Sequence, residues 1–239
     1  MSCPPFGGGQ DTGSPAMSTP TLHINRPRLP DEQSLADQAY YAIREWIVTL
    51  DLAPGSVVNE RELMGRLGLG RTPVREALRD LAREQLVDVF PRRGMFVSGV
   101  DVGDIAGLSE VRLVLETEAA RLGAERRNEA DLEETAVLLE ELAGASGELG
   151  ERRLIDLDER THRHVAHCAH NPFLEATLEQ YYVLALRIWF LALDRVALDE
   201  AIAEHHAILE AIRDGDADRA AEVMRAHVVS FERAIRAVL

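Results

Sequence analysis

The sequence predicts a mainly α protein, an N-terminal winged helix-turn-helix followed by an antiparallel all-α bundle. Three observations carry this. Residues 59–98 hold two helical apolar periods joined across a glycine-bracketed turn, and then change to a strand-like alternation. From residue 101 onward apolar positions recur at helical spacing between breaks made by Asn, Gly and Pro. Aromatic residues are only 5% of the 239 while Ala, Leu and Glu abound, which favours helices. The expected organisation is a disordered tail over 1–30, a winged helix-turn-helix over 31–100 and a helical domain over 101–239.

Taken in order, residues 1–30 contain a Gly-Gly-Gly run, repeated Pro and scattered Ser and Thr, too little apolar surface to offset the entropy of ordering, and Met17 offers a second start. Leu35, Ala39, Ile43, Trp46, Ile47 and Leu50 follow a helical period that Pro54-Gly55 ends with a turn. Asn59 is the expected N-cap of a short helix, with Glu62 three residues on. Gly68 and Gly70 bracket Leu69 in a tight turn, and a second helix is expected from Thr72 as N-cap with Pro73 in the first helical position. Along it Val74, Leu78 and Leu81 share the buried face, while Arg71, Arg75 and Arg79 recur every four residues beside it. Leu86, Val87, Val89 and Phe90, a Pro91-Arg92-Arg93-Gly94 turn, and Met95, Phe96 and Val97 then read as a hairpin wing.

Net charge is −15, and it is unevenly placed. Residues 31–100 hold 9 Arg against 11 acidic residues, and residues 101–239 hold 15 Arg against 29. Attraction to phosphate must therefore come from arginines gathered on one face and not from bulk charge, and non-specific binding should be weak. All 26 cationic residues are Arg, which points to a GC-rich genome more than to a mechanism. There is no run of about 18 apolar residues and no apolar leader core, so neither a membrane span nor a secretory signal is expected. Cys3 and Cys168 are too far apart to read as a disulfide frame or a metal site. A cytoplasmic, nucleoid-associated protein is the expectation.

An arginine at the start of a helix in the major groove can give guanine O6 and N7 two parallel hydrogen bonds, whereas a Thr72 hydroxyl and wing arginines suit phosphate oxygens. An arginine repeat by itself is more often a solvated helix face. The turn, the Thr-Pro pair and the Arg-Arg-Gly wing together favour binding of duplex DNA. The stretch GRTPVREALRDLAREQLVDVFPRRGMFV closely resembles the signature of the GntR family of bacterial transcription regulators, and the likeness extends over 34–97. It implies that Arg61, Arg71, Arg75 and the wing glycine Gly94 meet the operator, with Thr72 on phosphate and Arg92 and Arg93 beside it. Gly70 departs from the family, which usually has Ser or Thr there, so affinity or operator preference should differ from that of relatives.

Beyond a short hinge at 98–101, with Asp101 as cap, six helices are expected, at about 102–126, 130–146, 151–169, 172–195, 199–213 and 217–237. Asp158 and His162 stand four apart on the face that carries Ile155 and Val165. At about 100° per residue, His164 and His167 point roughly 140° to 160° away from His162. His205 sits with Ile202, Ile208, Leu209 and Ile212, and His227 lies between Val223 and Phe231. One Asp and three His aimed at an apolar interior are costly unless paired, and a divalent ion, zinc or nickel, would pair them. Separate core histidines are the competing reading of the same spacing.

Asp158, His162, Asn171-Pro172, His205 to Ile208 and His227 together are similar to the FCD ligand-binding domain of FadR-like GntR regulators, in the six-helix form called VanR-type. That resemblance implies a metal on the four residues, a small carboxylate effector bound against it, Arg112 as a clamp on the effector and Glu116 one turn on as its support. A helix-surface or interdomain salt bridge competes for Arg112. Thr161 stands where the family usually has Phe. The leading expectation is an effector-controlled transcription regulator, with repressor as the expected sign. It would be a homodimer on a pseudo-palindromic operator, no enzyme and no membrane protein. A metal-dependent hydrolase and a bundle with a purely structural metal are the alternatives.

Overall fold

The computed structural model describes residues 34–144, 151–192 and 198–238; the expected tail over 1–30, with Met17, and the ends of two expected helices lie outside them. Helix α1, Leu35–Val48, opens on a reciprocal cap in which Ser34 accepts from the Asp37 amide and the Asp37 carboxylate accepts from the Ser34 amide. Asn59 caps α2, Glu60–Leu67, by accepting from the Arg61 and Glu62 amides. Gly68 ends α2 at φ +66°, a left-handed conformation that a side chain would strain. The next helix, α3 (Arg71–Arg83), starts earlier than expected: Gly70 is its N-cap, and Thr72 and Pro73 lie inside the first turn. Pro73 is tolerated there because the first-turn amides have no intrahelical acceptor to lose.

Strands β1 (Val87–Phe90) and β2 (Gly94–Val97) pair antiparallel from Val87 against Val97 to Phe90 against Gly94, forming the wing. The bundle follows as α4 (Val102–Arg126), α5 (Glu129–Ala143), α6 (Glu151–Cys168), α7 (Pro172–Ala192), α8 (Leu198–Asp214) and α9 (Ala217–Val238). Asp101, Asn128 and Asn171 cap α4, α5 and α7 through their side-chain oxygens. Helix α4 is the spine, lying along α9 and touching α6, α7 and α8.

Among the described residues two large apolar cores stand beside two smaller clusters. Ala120, Leu138, Val165, Ile208, Leu209, Ile212 and Met224 form the bundle core. Ile43, Ile47, Val74, Leu78, Leu81 and Leu86 form the winged-helix core, which runs on without a break into Ile155, Tyr182, Val183, Leu186 and Trp189 of α6 and α7. The two parts therefore share an interface, and the stretch 98–101 is no loose tether. Ser98 is buried, and its carbonyl accepts from the buried Arg187. Arg44 of α1, also buried, reaches Glu179 of α7 at 3.0 Å.

Candidate metal centre and nucleic-acid interface

Burial of Val74, Ala77, Leu78 and Leu81 fixes which side of α3 faces out, and Arg71, Thr72 and Arg75 lie exposed on that side. Arg61 is exposed on α2. Arg75 does not stand alone: its Nε lies 2.9 and 3.0 Å from the two carboxylate oxygens of Glu60, which holds the guanidinium beside the start of α2. Gly70 provides no side-chain acceptor at the N-cap of α3. The amides of that turn are left for an external anion, as at many phosphate-binding helix ends. In the wing, the Arg93 amide donates to the Phe90 carbonyl at 3.1 Å with Pro91 and Arg92 between them. Arg92 (φ +65°) and Gly94 (φ +99°) both take left-handed conformations that turn the chain back. Arg92 and Arg93 are exposed at the tip, and Arg93 covers the Phe90 ring at 5.6 Å.

In the bundle, Asp158, His162, His205 and His227 are all buried and each offers one ligand atom within 4.8 Å of the others. Asp158 and His162 come from adjacent turns of α6, His205 from α8 and His227 from α9. The His162 Nε2 stands 3.2 Å from His227 Nε2 and 3.4 Å from His205 Nε2, and the His205 Nε2 stands 3.1 Å from Asp158 Oδ1. The opposite ring nitrogens of two of these histidines are committed elsewhere. His162 Nδ1 lies 3.0 Å from Glu116 Oε2, and His227 Nδ1 lies 2.8 Å from Glu204 Oε2.

Those two carboxylates decide the tautomers. An ionised carboxylate only accepts, so each Nδ1 carries a proton, and each ring in its neutral form presents its Nε2 lone pair to the centre. Burial would raise the Glu116 carboxyl, but Arg112 and His162 hold it well below the usual carboxylate range. Burial and the charge of His205 push the His227 imidazole down to about 4, against the pull of Glu204. Asp158 would be raised by burial, yet His162, His205 and a hydrogen bond from the Tyr182 hydroxyl hold it at about 2. A carboxylate and facing Nε2 lone pairs then converge on one point. A single proton there can serve one contact, whereas a divalent cation serves all four donors, so the donor set fits zinc or nickel.

Arg112 and Glu116 come together beside this cluster rather than apart from it: Arg112 Nε donates to Glu116 Oε1 at 2.5 Å and both side chains are buried. The Arg112 guanidinium also lies over the Phe231 ring at 4.9 Å, and its buried second amino group, Nη1, has no partner among the described residues. A void of about 10 Å³ touches Arg112, Asp158, His162 and His227, room for about one water. Thr161 is fully buried and its hydroxyl likewise has no partner among the described residues.

The histidines set aside by their helical phase do lie elsewhere. His164 meets Thr135 at 2.7 Å, His167 is exposed, and His206 is half-exposed near Glu210. Two contributors to the cluster escaped the sequence: Tyr182 and Glu204. Tyr182 lies 24 residues beyond Asp158 on another helix. Glu204 precedes His205 by one residue, off its face, and reaches His227 only because α8 packs on α9.

A winged helix-turn-helix joined to a helical bundle with a buried polar centre is the architecture of a two-part DNA-binding regulator. Residues 35–97 match the bacterial regulatory proteins of the gntR family and residues 107–230 match the FCD domain. The chain belongs to the GntR family of transcriptional regulators, with an FCD domain as its second part, a family of regulators rather than enzymes. It is 33% identical over 193 residues to an uncharacterized HTH-type transcriptional regulator in an unstable DNA locus of Streptomyces ambofaciens, covering 79% of this chain and 80% of that one. It is 26% identical over 216 residues to the HTH-type transcriptional repressor RspR of Escherichia coli K12, covering 88% and 93%. The solved structure of E. coli McbR/YncC shares the fold at a TM-score of 0.73 and 24% identity, over 84% of this chain and 99% of that one. No helix among the described residues is long and apolar enough to cross a membrane.

Proposed function

We propose that this DNA-binding regulator is a cytoplasmic repressor whose hold on its operator is modulated by a small carboxylate effector at a metal site in the bundle. The convergence of three histidine Nε2 atoms and one Asp158 oxygen within 4.8 Å carries the reading. A divalent ion bound there supplies positive charge and a coordination position that a carboxylate oxygen can fill. The unpartnered amino group of Arg112 is then the protein's own receptor for the carboxylate, and Glu116 steadies both Arg112 and His162. Residues 31–100 act as the DNA-reading unit and 101–239 as the sensing and dimerising unit. A homodimer presents two α3 helices to successive major grooves of a pseudo-palindrome. Arg71 and Arg75 read bases, Arg61, Thr72, Arg92 and Arg93 hold phosphates, and Gly94 lets the wing backbone approach the duplex. Repression is the function named for the RspR relative.

A purely structural ion is the second reading, favoured by the size of the void, about 10 Å³, which leaves room for little more than a water beside the cluster. The two separate by experiment. Operator binding is followed by fluorescence anisotropy on duplexes from the DNA flanking the gene, with zinc-loaded and chelated protein, across a panel of short carboxylates. An acid that releases the operator only from metal-loaded protein supports the effector reading. Metal-dependent stability with no acid that alters operator affinity supports the structural ion.

A further inference from the structure

A much larger cavity, about 460 Å³, lies at the seam between α1 and the bundle, in the size range of small-molecule sites. Tyr40, Tyr41 and Arg44 line it from the winged-helix side, and His162, Arg163 and Glu179 from α6 and α7. Most of its lining is apolar, with Ala119, Val165, Leu178 and Met224 among the contributors, and Tyr182 adds a third tyrosine ring. It adjoins the metal centre without being part of it: His162 and Glu116 line it, but Asp158, His205 and His227 do not.

In the lining of this cavity, Arg44 is a polar group that the described residues do not fully satisfy. It is 3% exposed and one terminal amino group reaches Glu179 Oε1 at 3.0 Å, yet its buried Nε has no hydrogen-bond partner among the described residues. Glu179 is already divided, since it also accepts from Arg163 at 2.7 and 3.1 Å. A buried guanidinium N–H without an acceptor is costly, and a ligand carboxylate would satisfy it while its body covered the tyrosine rings.

We propose that the seam cavity is a second ligand site, for an aromatic acid whose carboxylate is received by Arg44 and whose ring lies among Tyr40, Tyr41 and Tyr182. Arg44 belongs to α1, which packs directly on the recognition helix α3. A ligand here touches the DNA-reading part and the bundle at once, so its binding and the relative placement of the two are linked. The site does not depend on the metal reading, because its receptor is not one of the four cluster residues.

The test is calorimetric titration of the full-length protein with naphthalene-2-carboxylate and the neutral naphthalene-2-carboxamide. The acid is expected to bind saturably and about tenfold or more tighter than the amide, the size of one charge-assisted pair. Ala176→Trp, at an exposed position of the cavity lining, should abolish binding of both. Arg44→Gln should bring acid and amide to similar affinities, and retained amide binding reports that the cavity is intact. Chelated protein should bind the acid as wild type does. Equal affinity of acid and amide for wild type overturns the proposal, as does undiminished binding by Ala176→Trp. Acid binding that vanishes on chelation and survives in Arg44→Gln would also overturn it, and would place the acid at the metal instead. Acid binding that survives chelation but is lost in Ala176→Trp supports the seam site even if no acid ever acts through the metal.

Discussion

His227 gives the cluster a pH signature. In the unfolded chain its imidazole takes a proton near 6.5, while in the fold burial and His205 keep it neutral down to about 4. Between those values the unfolded state binds the extra proton, so stability rises with pH and is lost as pH falls from about 6.5 towards 4. The full loss amounts to about 3 kcal/mol for ion-free protein, and most of that slope should disappear from thermal melts of His227→Asn. An unchanged slope in that variant would assign it elsewhere. On the DNA side, Arg75→Ala should cost roughly 1 to 3 kcal/mol on operator and flatten specificity at one position per half-site. Equal weakening on operator and scrambled duplex would remove Arg75 from base reading. Arg92→Gly should weaken all duplexes alike and reduce the salt slope by about 0.9, while the left-handed turn at φ +65° keeps or gains stability. The four cluster residues were legible because helical spacing alone puts each on an apolar stripe. Tyr182 and Glu204 were not, because their roles come from contacts between helices that no local period encodes.

Among the elements, the start of α3 is where local signals misled. Thr72-Pro73 looks like a cap followed by the first helical residue, but proline is acceptable anywhere in the first turn, and Gly70 has the extended φ of −74° and ψ of 173° that the cap requires. Space around Gly70 is open, so Gly70→Ser should add a side-chain cap worth a few tenths of a kcal/mol. Because the new hydroxyl competes for the first-turn amides, its effect on operator affinity tells whether those amides meet phosphate. Helices α4, α5 and α7 were legible over their described residues, since their caps Asp101, Asn128 and Asn171 and their apolar periods agree. The cluster joins α6, α8 and α9, so an ion on it binds the folded bundle and not the unfolded chain. Saturating zinc at about 100 times its dissociation constant should raise unfolding free energy by about 2.7 kcal/mol, and chelation should reverse this. Identical melts with and without metal would argue against the ion.

At the scale of the whole molecule, the continuity of the two parts was hidden from the sequence. Residues 98–101 read as a hinge, and nothing local says that Arg44 meets Glu179 or that Arg187 holds the Ser98 carbonyl. Pairings across 135 and 89 residues belong to the tertiary fold. Light scattering should report a dimer that binds a two-half-site duplex far more tightly than a single half-site, by the effective concentration of linked heads. A monomer in solution with no such difference would remove the paired-operator arrangement. The proposed metal-linked sensing rests on the buried Asp158, His162, His205 and His227, and its most direct measurement is elemental analysis of wild type, His205→Ala, His227→Ala and His206→Ala. Each is purified without chelator and supplied with zinc or nickel. The expected result is about one ion per chain in wild type and His206→Ala and far less in the other two, because each lost imidazole opens the coordination sphere. Metal-free wild type, or near-stoichiometric metal in His205→Ala and His227→Ala, would contradict it.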